Sequence, residues 1–143
     1  MIRQRSVRIV MAEDSGPDVV LVKETLRAEG LAVDLKVFPD GEQCARYLQA
    51  GAEPPDAIIL DLHLPRIDGF DLLRAVRGDR RYDGVPVAML TSSTFAADRQ
   101  KAFDLGASAF ITKPSTLDGY LRTVGSAIHA LLTVGRSGAP HVA

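Results

Sequence analysis

Five short apolar segments alternate with longer segments in which apolar residues recur at helical spacing, and this order strongly restricts the fold. The run Ala57–Leu60 is continuously apolar, as expected for a central strand that is covered on both faces. The predicted strands are, in chain order, Val7–Met11, Val33–Phe38, Ala57–Leu60, Pro86–Leu90 and Ala109–Ile111. Strands joined through helices favour parallel pairing, so the pattern predicts an α/β three-layer sandwich around a five-stranded parallel sheet.

Capping residues predict where the helices begin and end. Ser15 is placed to cap the first helix, and Gly30 is placed to end it. The segment 77–84 is polar and predicts a loop. Two further helix starts have the spacing of a capping box: Asp40 with Gln43, and Ser115 with Asp118. In the last helix the residues predicted to repeat on one apolar face are Leu117, Leu121, Val124, Ile128 and Leu131.

Length and composition predict one domain that lies outside the membrane. The 143 residues, 46% of them apolar, suffice for one ordinary core, and the formal net charge of -1 offers no basic face for nucleic acid. The single cysteine, Cys44, is expected to pack as a small apolar group, and it excludes an internal disulfide. With no leader or membrane span in the pattern, we expect a cytoplasmic protein without nucleic-acid or membrane partners. We expect an extension at 1–6, a domain at 7–134 and a disordered tail at 135–143.

Functional groups follow the ends of four predicted strands. Glu13 and Asp14 follow the first strand, Asp61 the third, Thr91 the fourth and Lys113 the fifth. Because ligands of an open parallel sheet bind beyond the carboxyl ends of its strands, these side chains should converge in one pocket. Carboxylates can hold a divalent cation or act as a nucleophile, and a hydroxyl and an ammonium can bind phosphoryl oxygens. The combination predicts an aspartyl-phosphate site.

Together these motifs resemble the receiver domain of two-component response regulators, over Val7 to Val134. Five matches occur in order: Glu13-Asp14, Asp61 within Leu60-Asp-Leu-His-Leu-Pro65, Asp68-Gly69, Thr91 within Met89-Leu-Thr-Ser-Ser93, and Lys113-Pro114. The resemblance implies a flavodoxin-like sheet in the order 2-1-3-4-5. The chain is similar to single-domain, chemotaxis-regulator-like members, and its long last helix also resembles regulators paired with bacterial phytochrome-type kinases.

The resemblance implies that Asp61 is the phosphoacceptor, which attacks phosphorus in line and displaces the imidazole of a kinase phosphohistidine. It also implies that Asp14 and Asp61 bind Mg²⁺ directly, together with the backbone carbonyl of His63. Glu13 would act on the metal mainly through water. A simpler reading takes Glu13 and Asp14 as an acidic pair that favours the first helix dipole, and the two readings are compatible.

Lys113 is implied to pair with Asp61 at rest and with a phosphoryl oxygen afterwards. The family places a cis peptide before Pro114, whereas trans is the more frequent isomer of such bonds. Thr91 would donate its hydroxyl to a phosphoryl oxygen. Phe110 occupies the position of the family's switch aromatic, and plain core packing is the alternative role for this ring.

Two further positions match the family without an assigned chemical role. His63 and Ser93 stand two residues after Asp61 and Thr91, where side chains tune the lifetime of the phosphoryl group in the family. An ordinary exposed loop histidine is the simpler interpretation of His63. Asp68-Gly69 is predicted to supply a turn and the entry to a helix.

The leading hypothesis is a phosphorylation-dependent switch without an output domain of its own, which is not an enzyme beyond its own phosphorylation and dephosphorylation. Its partners would be a sensor histidine kinase, with the phytochrome type as one class, and a second copy bound through the fourth and fifth helices. The dimer hypothesis rests on the apolar repeat that reaches Leu131, Leu132 and Val134. Two alternatives stay open: a degenerate receiver that is only a binding module, and an aspartate-nucleophile phosphatase.

Overall fold

Five parallel strands form one sheet, as the alternation in the sequence predicts. The computed structural model describes residues 6–51 and 53–137. The strands are β1 (Val7–Ala12), β2 (Val33–Phe38), β3 (Ala57–Leu60), β4 (Val87–Thr91) and β5 (Ala109–Thr112). They lie in the order β2-β1-β3-β4-β5, which confirms the flavodoxin-like arrangement.

The helices follow the strands on both faces of the sheet. They are α1 (Gly16–Ala28), α2 (Gly41–Gln49), α3 (Gly69–Arg77), α4 (Ala96–Asp104) and a last helix, α5, which comprises the segments Leu117–Gly119, Tyr120–Val124 and Gly125–Ser137. The middle segment of α5 is π-helical. As predicted, Ser15 caps α1 and Asp40 caps α2 by accepting backbone N–H groups. Gly30 follows α1 with a φ of 75°, a left-handed conformation that glycine adopts without strain.

The strand register brings the carboxyl ends of the strands to one edge of the sheet. Ala12, the last residue of β1, pairs with Leu60, the last residue of β3. Thr91, at the end of β4, pairs with Thr112 at the end of β5. The side chains that follow these ends therefore share one side of the molecule, where an open parallel sheet binds its ligands.

Two apolar cores cover the two faces of the sheet, because alternate residues of each strand point to opposite sides. One face of β3 contributes Ile58 to the core beneath α2 and α3, and the other contributes Ile59 to the core beneath α1 and α5. The last helix inserts Tyr120, Val124, Ile128, Leu131 and Leu132 into the second core. Each such side chain contributes about 1.5–3 kcal/mol when fully buried, so α5 is held firmly against α1 and the sheet.

The segment predicted to be a loop at 77–84 contains a short 3₁₀ helix at Arg80–Tyr82. Tyr82 is only 1% exposed, and its hydroxyl donates to the carbonyl oxygen of Leu48 at 2.5 Å. The rest of the segment at 78–84 consists of turns and a bend, as predicted. The burial of Tyr82 was not predicted, because the residues around it are charged. A tyrosine can bury its ring where its hydroxyl finds an acceptor.

The start of α5 also differs from the prediction. Thr116, and not Ser115, caps the helix by accepting the N–H of Gly119 at 3.0 Å. A Cβ on Gly119 would lie 2.6 Å from Cβ of Pro114, so the glycine lets this first turn lie against the proline. Leu117, predicted to face the core, is 49% exposed, and Tyr120 occupies the core instead.

The last helix extends to Ser137, three residues into the segment for which the sequence predicts a disordered tail. Helix growth adds one hydrogen bond per residue, which allows a packed helix to continue past Gly135. The rest of the predicted tail, at 138–143, and most of the predicted extension, at 1–5, lie outside the described residues. Among the helices that the structure describes, none has both the length and the apolar character needed to cross a bilayer.

Candidate functional site

The predicted site residues meet at the carboxyl edge of the sheet. Glu13 and Asp14 follow β1, Asp61 follows β3, Thr91 ends β4, and Lys113 follows β5. A cleft of about 480 Å³ borders this site, and it is lined by Asp14, Leu62, His63, Leu64, Pro65, Asp68, Phe70 and Asp98. The site is therefore open to a donor molecule on one side and buried in the sheet on the other.

Lys113 is surrounded by three carboxylates. Its Nζ lies 2.8 Å from Oε1 of Glu13, 2.9 Å from Oδ2 of Asp18 and 2.9 Å from Oδ2 of Asp61. The lysine side chain is only 11% exposed. Burial alone would lower the pKa of Lys113, but its close contacts with these acids raise it above its ordinary value. The lysine is therefore a fixed cation at neutral pH.

Lys113 reaches the acids through a trans peptide. No cis bond occurs in the part of the chain that the structure describes, which includes the bond between Lys113 and Pro114. The cis peptide that the family resemblance implies is thus not found. The backbone N–H of Lys113 donates to the carbonyl of Thr91 at 2.7 Å, and this bond continues the pairing of β4 with β5 beyond Thr112.

Asp61 is buried and ionised. The residue is 6% exposed; its Oδ1 accepts the backbone N–H of His63 at 3.2 Å, and its Oδ2 accepts a hydrogen bond from Lys113. Burial raises the pKa of this carboxyl, but the bonds from Lys113 and His63 outweigh burial and hold the pKa below its usual range. A buried carboxylate that keeps its charge is the chemical requirement for an oxygen nucleophile.

Glu13 is the most deeply buried acid of the group, at 2% exposure. Burial raises its pKa to about 7, against the opposing effect of Lys113. Its Oε2 accepts the N–H of Ser15 at 3.2 Å. Its Oε1 pairs with Lys113 by charge, but the angles of this contact do not make a hydrogen bond, and this buried oxygen has no other polar partner among the described residues.

The acids fit a divalent cation. One carboxylate oxygen each from Glu13, Asp14 and Asp61 lies within 4.8 Å of the others. Asp14 is exposed toward the cleft, and the buried Oε1 of Glu13 lacks a hydrogen bond. Hard oxygen ligands of this kind suit Mg²⁺. The side chain of His63 is exposed, as the simpler interpretation of this residue predicts.

Thr91 and Phe110 lie on neighbouring strands beside the acids. Thr91 is fully buried, and its hydroxyl oxygen accepts the N–H of Ser93 at 3.3 Å, which leaves the hydroxyl hydrogen free to donate. Phe110 is half-buried and packs against the core beneath α3. Its carbonyl accepts a hydrogen bond from the guanidinium of Arg99 on α4 at 3.3 Å. The role of Phe110 as a switch aromatic stays a prediction.

Gly69 allows α3 to approach the site. A Cβ at this position would lie 2.2 Å from the carbonyl oxygen of Asp61, a distance that no side chain tolerates. The N–H of Gly69 donates to the carbonyl of Leu62 at 3.0 Å, and Asp68 caps α3. The predicted turn and helix entry are confirmed, and they also press α3 against the backbone of Asp61.

Two residues of the site were missed by reasoning from the sequence. Neither Asp18 nor Tyr120 was assigned a role in the site from the sequence. Oδ1 of Asp18 accepts a hydrogen bond from the hydroxyl of Tyr120 at 2.9 Å, and Oδ2 accepts one from the ammonium of Lys113. The available signal was the position of Asp18 in the first turn of the helix that follows Glu13 and Asp14. Nothing in the sequence distinguished Tyr120 from an ordinary core residue.

Comparison with known proteins gives one family over most of the chain. The family described as the response regulator receiver domain matches residues 9–124. The structure of the phosphorylated cyanobacterial phytochrome response regulator RcpA is similar at a TM-score of 0.83 and 28% identity, covering 91% of this chain and 96% of RcpA. The Mn²⁺-bound form of the response regulator Rcp1 gives a TM-score of 0.77 at 29% identity, with 87% of this chain and 92% of Rcp1 covered.

A relative with a longer chain shares the same region. The transcriptional regulatory protein TcrA of Mycobacterium tuberculosis is 36% identical over 116 residues, which are 81% of this chain and 44% of TcrA. The chain thus spans less than half of TcrA. The likeness concerns the receiver region alone.

Proposed function

The chain belongs to the response regulator receiver domain family, and from this premise we propose that Asp61 accepts a phosphoryl group from the phosphohistidine of a sensor kinase. One observation carries the proposal. Asp61 is a buried carboxylate kept ionised by Lys113 and by the N–H of His63, at the edge where the sheet binds ligands.

The transfer follows from this arrangement. A carboxylate oxygen of Asp61 forms an O–P bond as the P–N bond to the kinase imidazole breaks, and the electron pair of that bond goes to the ring nitrogen. Lys113, which already contacts Asp61, and the hydroxyl of Thr91 would bind the phosphoryl oxygens and stabilise their charge. Water completes the cycle by hydrolysing the acyl phosphate, and the chain has no other catalytic activity in this proposal.

Glu13, Asp14 and Asp61 would hold Mg²⁺, with Asp14 and Asp61 in direct contact, the backbone carbonyl of His63 as a further ligand, and Glu13 acting mainly through water. Bound there, the cation supplies positive charge beside the incoming phosphoryl group. The fit of three carboxylate oxygens within one small volume supports this assignment. Mn²⁺-bound Rcp1 is a structural neighbour with a divalent cation.

Phosphorylation would act on the surface formed by α4, β5 and α5. The new group adds nearly two negative charges beside the site, and Thr91 would turn its hydroxyl toward them. Movement of Thr91 would leave room for the half-buried ring of Phe110 and would shift α4, which contacts Phe110 through Arg99. The surface would then change its affinity for a protein partner.

The partners in this proposal are a sensor histidine kinase, of the phytochrome type by the likeness to RcpA, and a second copy of the chain. Receiver domains act with histidine kinases in the cytoplasm, where we place this chain. Leu131 and Leu132 are buried in the chain's own core, so they do not supply the dimer surface. Among the described residues, Phe95, which is 72% exposed just before α4, and Leu117, which is 49% exposed at the start of α5, are large apolar groups available for contact through α4 and α5.

Intact-protein mass spectrometry after incubation with acetyl phosphate tests the proposal. We expect the wild type to gain the mass of one phosphoryl group in the presence of Mg²⁺, and much less after removal of the metal with EDTA. Asp61→Asn, which keeps the side chain's shape, should gain none. Equal labelling of Asp61→Asn would contradict the proposal. If the wild type shows no gain and releases no inorganic phosphate, the binding-module alternative is favoured.

A further inference from the structure

A chain of hydrogen bonds connects Asp61 to the last helix through two residues outside the cation cluster. Lys113 donates to Asp61 and to Oδ2 of Asp18, each at 2.9 Å, and the hydroxyl of Tyr120 donates to Oδ1 of Asp18 at 2.9 Å. Asp18 and Tyr120 are 102 residues apart in sequence. Each oxygen of Asp18 therefore accepts one hydrogen bond, and the carboxylate is fixed from both sides.

Tyr120 is a rigid support for this carboxylate. The residue is fully buried in the core beneath α1 and α5, and it begins the π-helical segment Tyr120–Val124. Segments of this kind occur frequently at functional sites. Burial and the hydrogen bond to Asp18 raise the pKa of Tyr120, so its hydroxyl stays protonated and remains a donor.

One of the three acids around Lys113 can keep its bond to the ammonium throughout the reaction. An ammonium has three N–H groups, and in this structure it faces the three acids Glu13, Asp18 and Asp61. Binding of a cation would engage Glu13 and Asp61, and phosphorylation would change the charge of Asp61. Asp18 takes part in neither event, so it can hold Lys113 throughout.

We propose that Asp18, supported by Tyr120, is a positioning residue that keeps Lys113 directed at Asp61 during phosphoryl transfer. The inference rests on the proposed function, because the position of Lys113 affects a rate only if Asp61 is phosphorylated. It adds to that function a connection from the acceptor to α1 and α5 that is separate from Thr91 and Phe110.

Rates of phosphorylation by acetyl phosphate test this role. Asp18→Asn keeps the shape but weakens the bond to Lys113, and we expect a rate about tenfold lower. Tyr120→Phe removes one hydroxyl and should lower the rate by a smaller factor. In a Lys113→Ala background Asp18→Asn should have no further effect, since Asp18 acts through Lys113. A merely structural role would lower the rate by the same factor in both backgrounds.

Asp71→Asn is the matched control. Asp71 also lies in the first turn of a helix at this edge, but it is 55% exposed at its side chain and contacts Arg74. The control should phosphorylate at the wild-type rate, and urea unfolding of every variant shows whether the fold is kept. An unchanged or higher rate in folded Asp18→Asn would overturn the inference.

A second readout separates this inference from the proposed function. In ¹⁵N-labelled protein the ammonium of Lys113, held by three acids, should give a slowly exchanging NMR signal. We expect this signal to broaden or vanish in Asp18→Asn and to shift in Tyr120→Phe, with no phosphoryl donor present. A signal that is unchanged in Asp18→Asn would refute the inference even if Asp61 is phosphorylated. Loss of the signal in Asp18→Asn, together with a wild type that neither gains a phosphoryl group nor releases phosphate from acetyl phosphate, would refute the proposed function and still show that Asp18 positions Lys113.

Discussion

The ammonium of Lys113 donates a hydrogen bond to Oδ2 of Asp61 at 2.9 Å, although 52 residues separate the two in sequence. The bond spans the edge of the sheet from β5 to β3, across the end of β4. It neutralises a buried carboxylate that would otherwise repel the nearby acids Glu13 and Asp14. The affinity of the site for a cation and its affinity for a phosphoryl group both depend on this one lysine.

Removal of the lysine should strengthen cation binding. Lys113→Ala leaves the carboxylates without their nearest positive charge, so we expect the dissociation constant for Mg²⁺ to fall by about tenfold at low ionic strength. Isothermal titration calorimetry of both proteins measures the change. Lys23→Ala, which removes an exposed lysine from the outer part of α1, is the control and should bind Mg²⁺ as the wild type does. Weaker binding by Lys113→Ala would show that the acids do not form the cation site.

Replacement of Gly69 should destabilise the fold. A Cβ there would lie 2.2 Å from the carbonyl oxygen of Asp61, so α3 must move away from the site. We expect Gly69→Ala to lower the free energy of unfolding by about 3 kcal/mol, as measured by urea denaturation. Gly16→Ala is the matched control at the start of α1, because no atom lies within 4 Å of its added Cβ. Equal stabilities of the two variants would contradict the packing described for Gly69.

The hydroxyl of Tyr82 should stabilise the 3₁₀ helix. The hydroxyl is buried and donates to the carbonyl of Leu48. In Tyr82→Phe this carbonyl keeps only the longer hydrogen bond from the guanidinium of Arg81, at 3.4 Å. We expect a loss of about 1–2 kcal/mol in the free energy of unfolding. Tyr47→Phe, at a half-buried ring on the same side of the sheet, should lower the free energy of unfolding by less. A larger decrease for Tyr47→Phe than for Tyr82→Phe would contradict the role given to the Tyr82 hydroxyl.

The thiol of Cys44 should be unreactive in the native protein. It is fully buried, and burial raises its pKa from 9.0 to about 12. We expect a thiol reagent to label Cys44 only after unfolding, whereas Gln43→Cys in a Cys44→Ala background should react at once. Since the unfolded thiol loses its proton first, Cys44 should also lower stability as pH rises above 9.0. Rapid labelling of native Cys44 would contradict its burial.

The sequence predicts the sheet well because the strand signals are local. Ala57–Leu60 is apolar throughout, and Ser15 and Asp40 cap their helices as expected. The capping residue of α5 could not be identified from the sequence, because Ser115 and Thr116 both carry a hydroxyl that can cap a helix. The cap at Thr116 occurs together with the close approach of Gly119 to Pro114, which is visible only in the folded chain.

The site is predictable to the extent that its residues follow strand ends. Asp61 and Lys113 stand at such ends, and parallel pairing brings them together. Asp18 and Tyr120 lie on helices whose phase relative to the site is set by packing, so their hydrogen bond could not be found from spacing alone. The π-helical turn at Tyr120 also has no distinct sequence pattern.

The most direct test of the central claim is to locate the phosphoryl group. The protein is treated with acetyl phosphate and Mg²⁺, reduced with borohydride, which converts an aspartyl phosphate to homoserine, and mapped by peptide mass spectrometry. The account predicts homoserine at position 61, and none there when acetyl phosphate is omitted. Homoserine at Asp14 or at another aspartate, with residue 61 unmodified, would contradict the account.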